Sequence, residues 1–185
     1  GRASLSQQIS GESWGLGWNG NTFSTENERP NAEYQSNGGT VCLHKDIYDG
    51  LSFDLVGTLF KSDLNLPGPS YNPTNLDYQD SYNYLISPAF TMGHDIWEVK
   101  AHYAYAEDWL DSYSNGIWGS YQTVGKSEQH QTEIFYKFTI SEFLNLRAGF
   151  AYLSESFEMS EDAVIDQNRN TKSIHSSVDW LLNES

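Results

Sequence analysis

One cysteine, Cys42, stands among 185 residues. No disulfide can therefore form within the chain, and a Cys-rich zinc site is excluded. No run of about 18 apolar residues exists, which excludes a transmembrane helix. Basic residues are few: Lys and Arg total 10 against 25 Asp and Glu, a formal charge of −15. A nucleic-acid partner is excluded on that ground, because phosphate binding needs a basic surface. The opening Gly1-Arg2-Ala3-Ser4 has no signal-peptide pattern, so a mature form or a fragment is expected. What the chain does have is aromatic side chains, 15% of residues with 12 Tyr and 6 Trp, and 15 Gly, at a mean hydropathy of −0.58. A disordered acidic chain would lack the rings. Many rings among many polar residues suggest β-structure with one wet face.

The spacing of apolar residues bears this out. No helical i, i+3, i+4 pattern persists for a dozen residues, whereas period-two alternation recurs. Residues Trp97, Val99, Ala101, Tyr103 and Tyr105 share one parity, and Glu98, Lys100 and His102 the other. The same split separates Ile134, Tyr136 and Phe138 from Glu133 and Lys137. It also separates Leu146, Ala148 and Phe150 from Asn145 and Arg147. Leu51–Leu59 and Ile174–Leu182 alternate likewise, placing Asp54 and Asp179 on the polar side. Less regular strands are expected at 13–20, 35–45 and 81–92, and a weaker one at 3–9. Eight or nine strands result. A soluble sandwich alternates in the same way, so the connections must discriminate.

The connections alternate in length. Tight links are expected near Gly11, at Asp46–Gly50, at Gly93–Asp95 and at Ser141–Phe143. Long ones are expected at about 21–33, 61–80, 107–130 and 154–172. Those four segments carry 15 of the 25 acids and 5 of the 10 bases. Short links at one end and long links at the other are the pattern of a transmembrane β-barrel, with short periplasmic turns and long extracellular loops. Greek-key crossovers would mix the lengths. The apolar parity carries almost no charge, as lipid demands. Aromatic girdles are expected at Trp14, Tyr48, Phe90, Trp97, Phe143 and Trp180 toward the short turns. Phe23, Tyr82, Tyr105, Trp109 and Phe157 are expected toward the long links.

The stretches Tyr84–Tyr105 and Thr132–Leu153 each read as strand, tight turn, strand. In them the chain resembles the outer-membrane porin-like β-barrels. The resemblance covers most of the chain as a pattern and fixes no single family. It departs from that superfamily at the C-terminus, where Trp180-Leu-Leu-Asn-Glu-Ser185 lacks the usual terminal aromatic. The resemblance implies an all-β, antiparallel up-and-down transmembrane barrel of eight or more strands. It would be a single domain over 1–185, or part of a larger barrel, located in the bacterial outer membrane. The cut-looking ends favour the larger porin.

The function expected is passive diffusion of small hydrophilic solutes, without enzymatic activity, cofactor or metal. Asp54, Glu98, Lys100, His102, Glu133, Lys137, Arg147 and Asp179 would line the pore and bias entry by their charge. Outer-membrane lipid and lipopolysaccharide are the expected surroundings, with a homo-oligomer or a membrane partner allowed. The principal alternative is a small closed barrel serving as a structural or adhesin-type protein, or as a sleeve around a partner, with no solute transport. His175/Ser177, His94/Asp95 and His175/Asp179 are the candidate catalytic pairs, and none is expected to act. The first lies on the polar parity without a suitable acid following, and the others are more simply a turn and a lumen position. Acidic groups at Glu161/Asp162/Asp166 and Asp108/Asp111 offer hard oxygens but no EF-hand spacing. Tyr71, Tyr78, Tyr113, Trp118 and Tyr121 could stack on sugars. A soluble sandwich would bury Trp97, Tyr103, Phe138, Phe150 and Trp180 between two sheets.

Overall fold

The computed structural model describes residues 1–26, 32–67, 77–116, 119–142, 144–160 and 164–180. Nine strands follow one another: β1 (Arg2–Gly11), β2 (Trp14–Glu26), β3 (Glu33–Tyr48), β4 (Leu51–Leu66), β5 (Asp77–His94), β6 (Trp97–Gly116), β7 (Gly119–Ser141), β8 (Leu144–Ser160) and β9 (Val164–Trp180). They form one antiparallel sheet in sequence order. Each strand contacts only its chain neighbours, so β1 and β9 do not meet. Among the described residues the sheet is therefore an open wall, and these nine strands do not close on themselves.

Almost nothing is buried. Among the described residues only Ala32, Ala89, Ser36 and Asp77 qualify besides glycine, and no large side chain is fully enclosed. A single sheet has no opposing layer to bury its apolar face. That excludes the sandwich: Phe150 is 40% exposed and Trp180 71%.

Register places every side chain on one of two faces, since directly opposed residues share a face and neighbours alternate. One face carries Leu51, Phe53, Leu55 and Leu59 on β4, Trp97–Tyr105 by odd numbers on β6, and Phe138, Tyr136 and Ile134 on β7. The apolar stretch lasts about nine residues per strand. At about 3.3 Å per residue and a tilt near 40° that is roughly 23 Å, close to the lipid-facing band of barrels. The opposite face is crowded. Every buried strand residue just named (Ser36, Asp77, Ala89) lies on it. The rings of Phe135 and His175, on strands separated by β8, meet at 5.0 Å across Gly149. A Cβ on Gly149 would run into the His175 ring. Side chains converge on the concave side of a curved sheet, so this face is the inner one.

The strands run much further than alternation in the sequence suggests. The segment 107–130, read as a long link, is the upper halves of β6 (20 residues) and β7 (23 residues). They pair without interruption up to Gly116↔Gly119. The segment 154–172 is mostly β8 and β9. Strand persists because above the band the two faces exchange character. Outward positions become Lys61, Asp63, Asp80, Glu107, Asp111, Lys126 and Glu158, while inward positions become Phe60, Leu64, Leu110, Phe157 and Met159. Alternation in that stretch thus has the wrong phase for a lipid-facing strand but remains strand-like.

At the other end the turns are tight. Bulges at Asp46/Tyr48 and Thr139/Ser141 close two of them. Gly50 sits at φ 76°, the left-handed region. A Cβ there would also strike the Gly93 carbonyl oxygen, whose own backbone N–H donates to the Gly50 carbonyl at 2.8 Å. Only glycine meets both demands.

Candidate functional site

All eight residues expected to line a pore lie on the inner face: Asp54 on β4, Glu98, Lys100 and His102 on β6, Glu133 and Lys137 on β7, Arg147 on β8 and Asp179 on β9. The register brings several of them together. Glu98 opposes Lys137, which opposes Arg147. The Arg147 Nη2 lies 2.9 Å from Asp179 Oδ2. His102 opposes Glu133, with His102 Nδ1 3.7 Å from Glu133 Oε2.

Three inner-face groups escape a reading of the sequence. Ser87 Oγ shares a 2.6 Å hydrogen bond with His102 Nε2, and Gln131 Nε2 donates to Glu133 Oε1 at 2.7 Å. Ser87 lies on β5, so only strand pairing makes it a neighbour of His102, whereas Gln131 and Glu133 are two apart on β7 and share its inner face. The third group is His44, 2.8 Å from Asp54 Oδ1 through Nδ1 and 3.2 Å from Asp46 Oδ1 through Nε2. It stands beside a recess of about 540 Å³ floored by Gly15 and Gly17 and rimmed by Gln8, Asn19, Thr40, His44 and Asp54. Two inward glycines in succession on β2 remove the side chains that would otherwise fill this space. The recess offers hydroxyl, amide, imidazole and carboxylate groups beside the apolar side chains of Cys42 and Val56.

The girdle residues Trp14, Phe90, Trp97, Tyr105 and Trp180 all face outward. Phe143 lies outside the described residues. Tyr82 and Trp109 face outward too, but Phe23 and Phe157 point inward, above the level where the faces exchange. Phe23 packs on Tyr34 at 5.9 Å there.

The other candidates disperse. His175 is engaged with Phe135, and Asp179 with Arg147, so neither serves Ser177. His94 and Asp95 stand 3.7 Å apart on a turn, both highly exposed. Asp108 and Asp111 lie on opposite faces, which rules them out as one cation site. Glu161, Asp162, Tyr71 and Trp118 fall outside the described residues, and Asp166 accepts from Asn168 at 3.3 Å. Tyr78 and Tyr113 stack at 6.0 Å on the outer face while Tyr121 is inward, so these rings make no single platform. Among the described residues no group of three metal-ligating side chains converges.

An apolar outer band, a charged inner wall and a nine-stranded meander define the wall of an outer-membrane β-barrel. The solved structures agree on the fold. The siderophore receptor PiuA from Acinetobacter baumannii superposes over 96% of this chain and 37% of its own, with a TM-score of 0.68 at 12% identity. The ferric yersiniabactin uptake receptor FyuA from Yersinia pestis covers 96% of this chain and 33% of its own, with a TM-score of 0.54 at 9% identity. The chain thus spans about a third of the length of each. No family model matches it, and no curated protein does.

Proposed function

We propose that this chain is one arc of the wall of an outer-membrane uptake barrel that recognises its solute, in place of the passive porin suggested by the sequence. The observation that carries the reading is the open sheet. Free edges at β1 and β9 present unpaired backbone groups that lipid cannot satisfy. Further strands must therefore close the wall. Nine strands in an arc that does not close on itself point to a wide barrel, and two solved structures of like fold are named as receptors. The inner wall supports recognition. Its charges are arranged in local pairs and triads: His44, between Asp46 and Asp54, stands beside a recess on β1–β4 with space for a solute, and Arg147 pairs with Asp179 further along the wall.

The test uses the full-length protein in a planar bilayer. A recognising barrel gives no steady open conductance but retains a specific solute on a filter. A stable, ohmic conductance without any retained solute would restore the passive porin.

A further inference from the structure

The outer wall of a barrel is normally filled by lipid-facing side chains. Over β1–β5 it is not. Gly20 and Gly39 are register partners on the outer face, and Gly57 stands beside Val41 and Ile86 in the adjoining row. With no side chains at these three points, the wall there is one backbone thick. A groove of about 1190 Å³ opens over them, walled by Leu5, Trp18, Val41, Leu59 and Tyr84, with Lys61 at its upper rim.

Where the groove lies determines what enters it. Its apolar walls are continuous with the lipid-facing band, and it occupies the half of that band nearest the long-link end. Its floor is sheet backbone whose polar groups are already paired between strands, and the polar side chains Thr22, Asn37 and Lys61 stand in one row at its upper end, so the length below them is apolar. We propose that the groove is a lipid-binding site that takes an acyl chain of the leaflet at the long-link end lengthwise, its phosphate headgroup at the depth of Lys61. The Lys61 ammonium is held at that depth by Asp63, 2.9 Å away. The inference is independent of what the barrel transports and depends only on which face meets lipid.

The test is electron spin resonance of the full-length protein in phosphatidylcholine vesicles carrying a trace of chain-end spin-labelled phospholipid. The wild type is expected to show a strongly immobilised component beyond the ordinary boundary shell. Gly57→Leu fills the groove, and no atom lies within 4 Å of the Cβ position there. It is expected to abolish that component. An unchanged spectrum would overturn the proposal. Should Gly57→Leu fail to fold, as read by heat-modifiable mobility, Gly57→Ala and Gly20→Ala replace it, and immobilisation undiminished in both is equally fatal. Lys61→Met is expected to keep the immobilised chain but lose a preference for labelled phosphatidylglycerol over phosphatidylcholine. A wild type with no such preference would remove Lys61 from the site.

Discussion

Single residues at the upper edge of the band already show how charge is managed on the outer face. The Glu107 carboxyl accepts from the Tyr105 hydroxyl at 2.8 Å and from that of Tyr84 at 3.3 Å, with Lys126 3.5 Å away. The Tyr105 hydrogen bond, aided by Lys126, holds the carboxyl below the usual carboxylate range. A depressed carboxyl stabilises the fold above its unfolded range, and the gain is lost as pH falls through the folded value. Glu107→Ala is expected to cost about 1.5–3 kcal/mol at pH 7, the scale of hydrogen bonds to a charged group, and progressively less on acidification. Urea midpoints of the reconstituted protein at several pH values check this. Asp80 behaves oppositely. Burial pushes its carboxyl up, and the neighbouring carboxylates of Asp63 and Asp111 add to the rise. A raised carboxyl costs stability above its folded value and costs nothing once protonated. Asp80→Asn is therefore expected to raise the unfolding midpoint at pH 7, and to lose that advantage as pH falls toward the ordinary carboxylate range. The same titration measures it.

At the scale of the strand, the two faces make opposite demands on the same substitution. Ile134 on β7 stands in register with Phe150 and Ile174 near the middle of the apolar band, and it is 48% exposed where only lipid can cover it. Ile134→Arg is expected to destabilise by about 2–4 kcal/mol in lipid, the cost of a cation near the bilayer midplane. Ser173 lies at the same height on the inner face of β9. Ser173→Arg is expected to fall within about 0.5 kcal/mol, since its side chain stays in water. Unfolding in vesicles distinguishes the two, and equal costs would mean that the faces are wrongly assigned. The strand cores could be read from the sequence for this physical reason: lipid on one side and water on the other enforce period two. Their upper halves could not. There the outward face meets water while Phe60, Leu110 and Phe157 turn inward, so the pattern inverts. Polar, acid-rich stretches such as 107–130 then look like loops.

For the molecule as a whole, the unclosed wall matters most. Among the described residues the sheet has no second layer and its edges at β1 and β9 are not paired to one another, so its apolar face has only lipid to cover it. Its two sides then take separate work. The outer side carries the girdle of Trp14, Phe90, Trp97, Tyr105 and Trp180 and the groove over Gly20, Gly39 and Gly57. The inner side carries the paired charges and the recess over Gly15 and Gly17. In both cavities glycine creates the space, and which face a glycine opens is set by its parity alone. Neighbouring positions on β2 thereby serve the lumen and the lipid.

The sequence by itself determined the strand periodicity, the apolar parity and that the eight charged residues share the opposite face, because alternation is a local property of an extended chain. Only the tertiary structure decided how far the strands extend, that the wall is open, and which side chains meet. Ser87 joins His102, His102 meets Glu133, and His44 joins Asp54, through register between strands. Register is a long-range pairing that no single stretch of sequence contains.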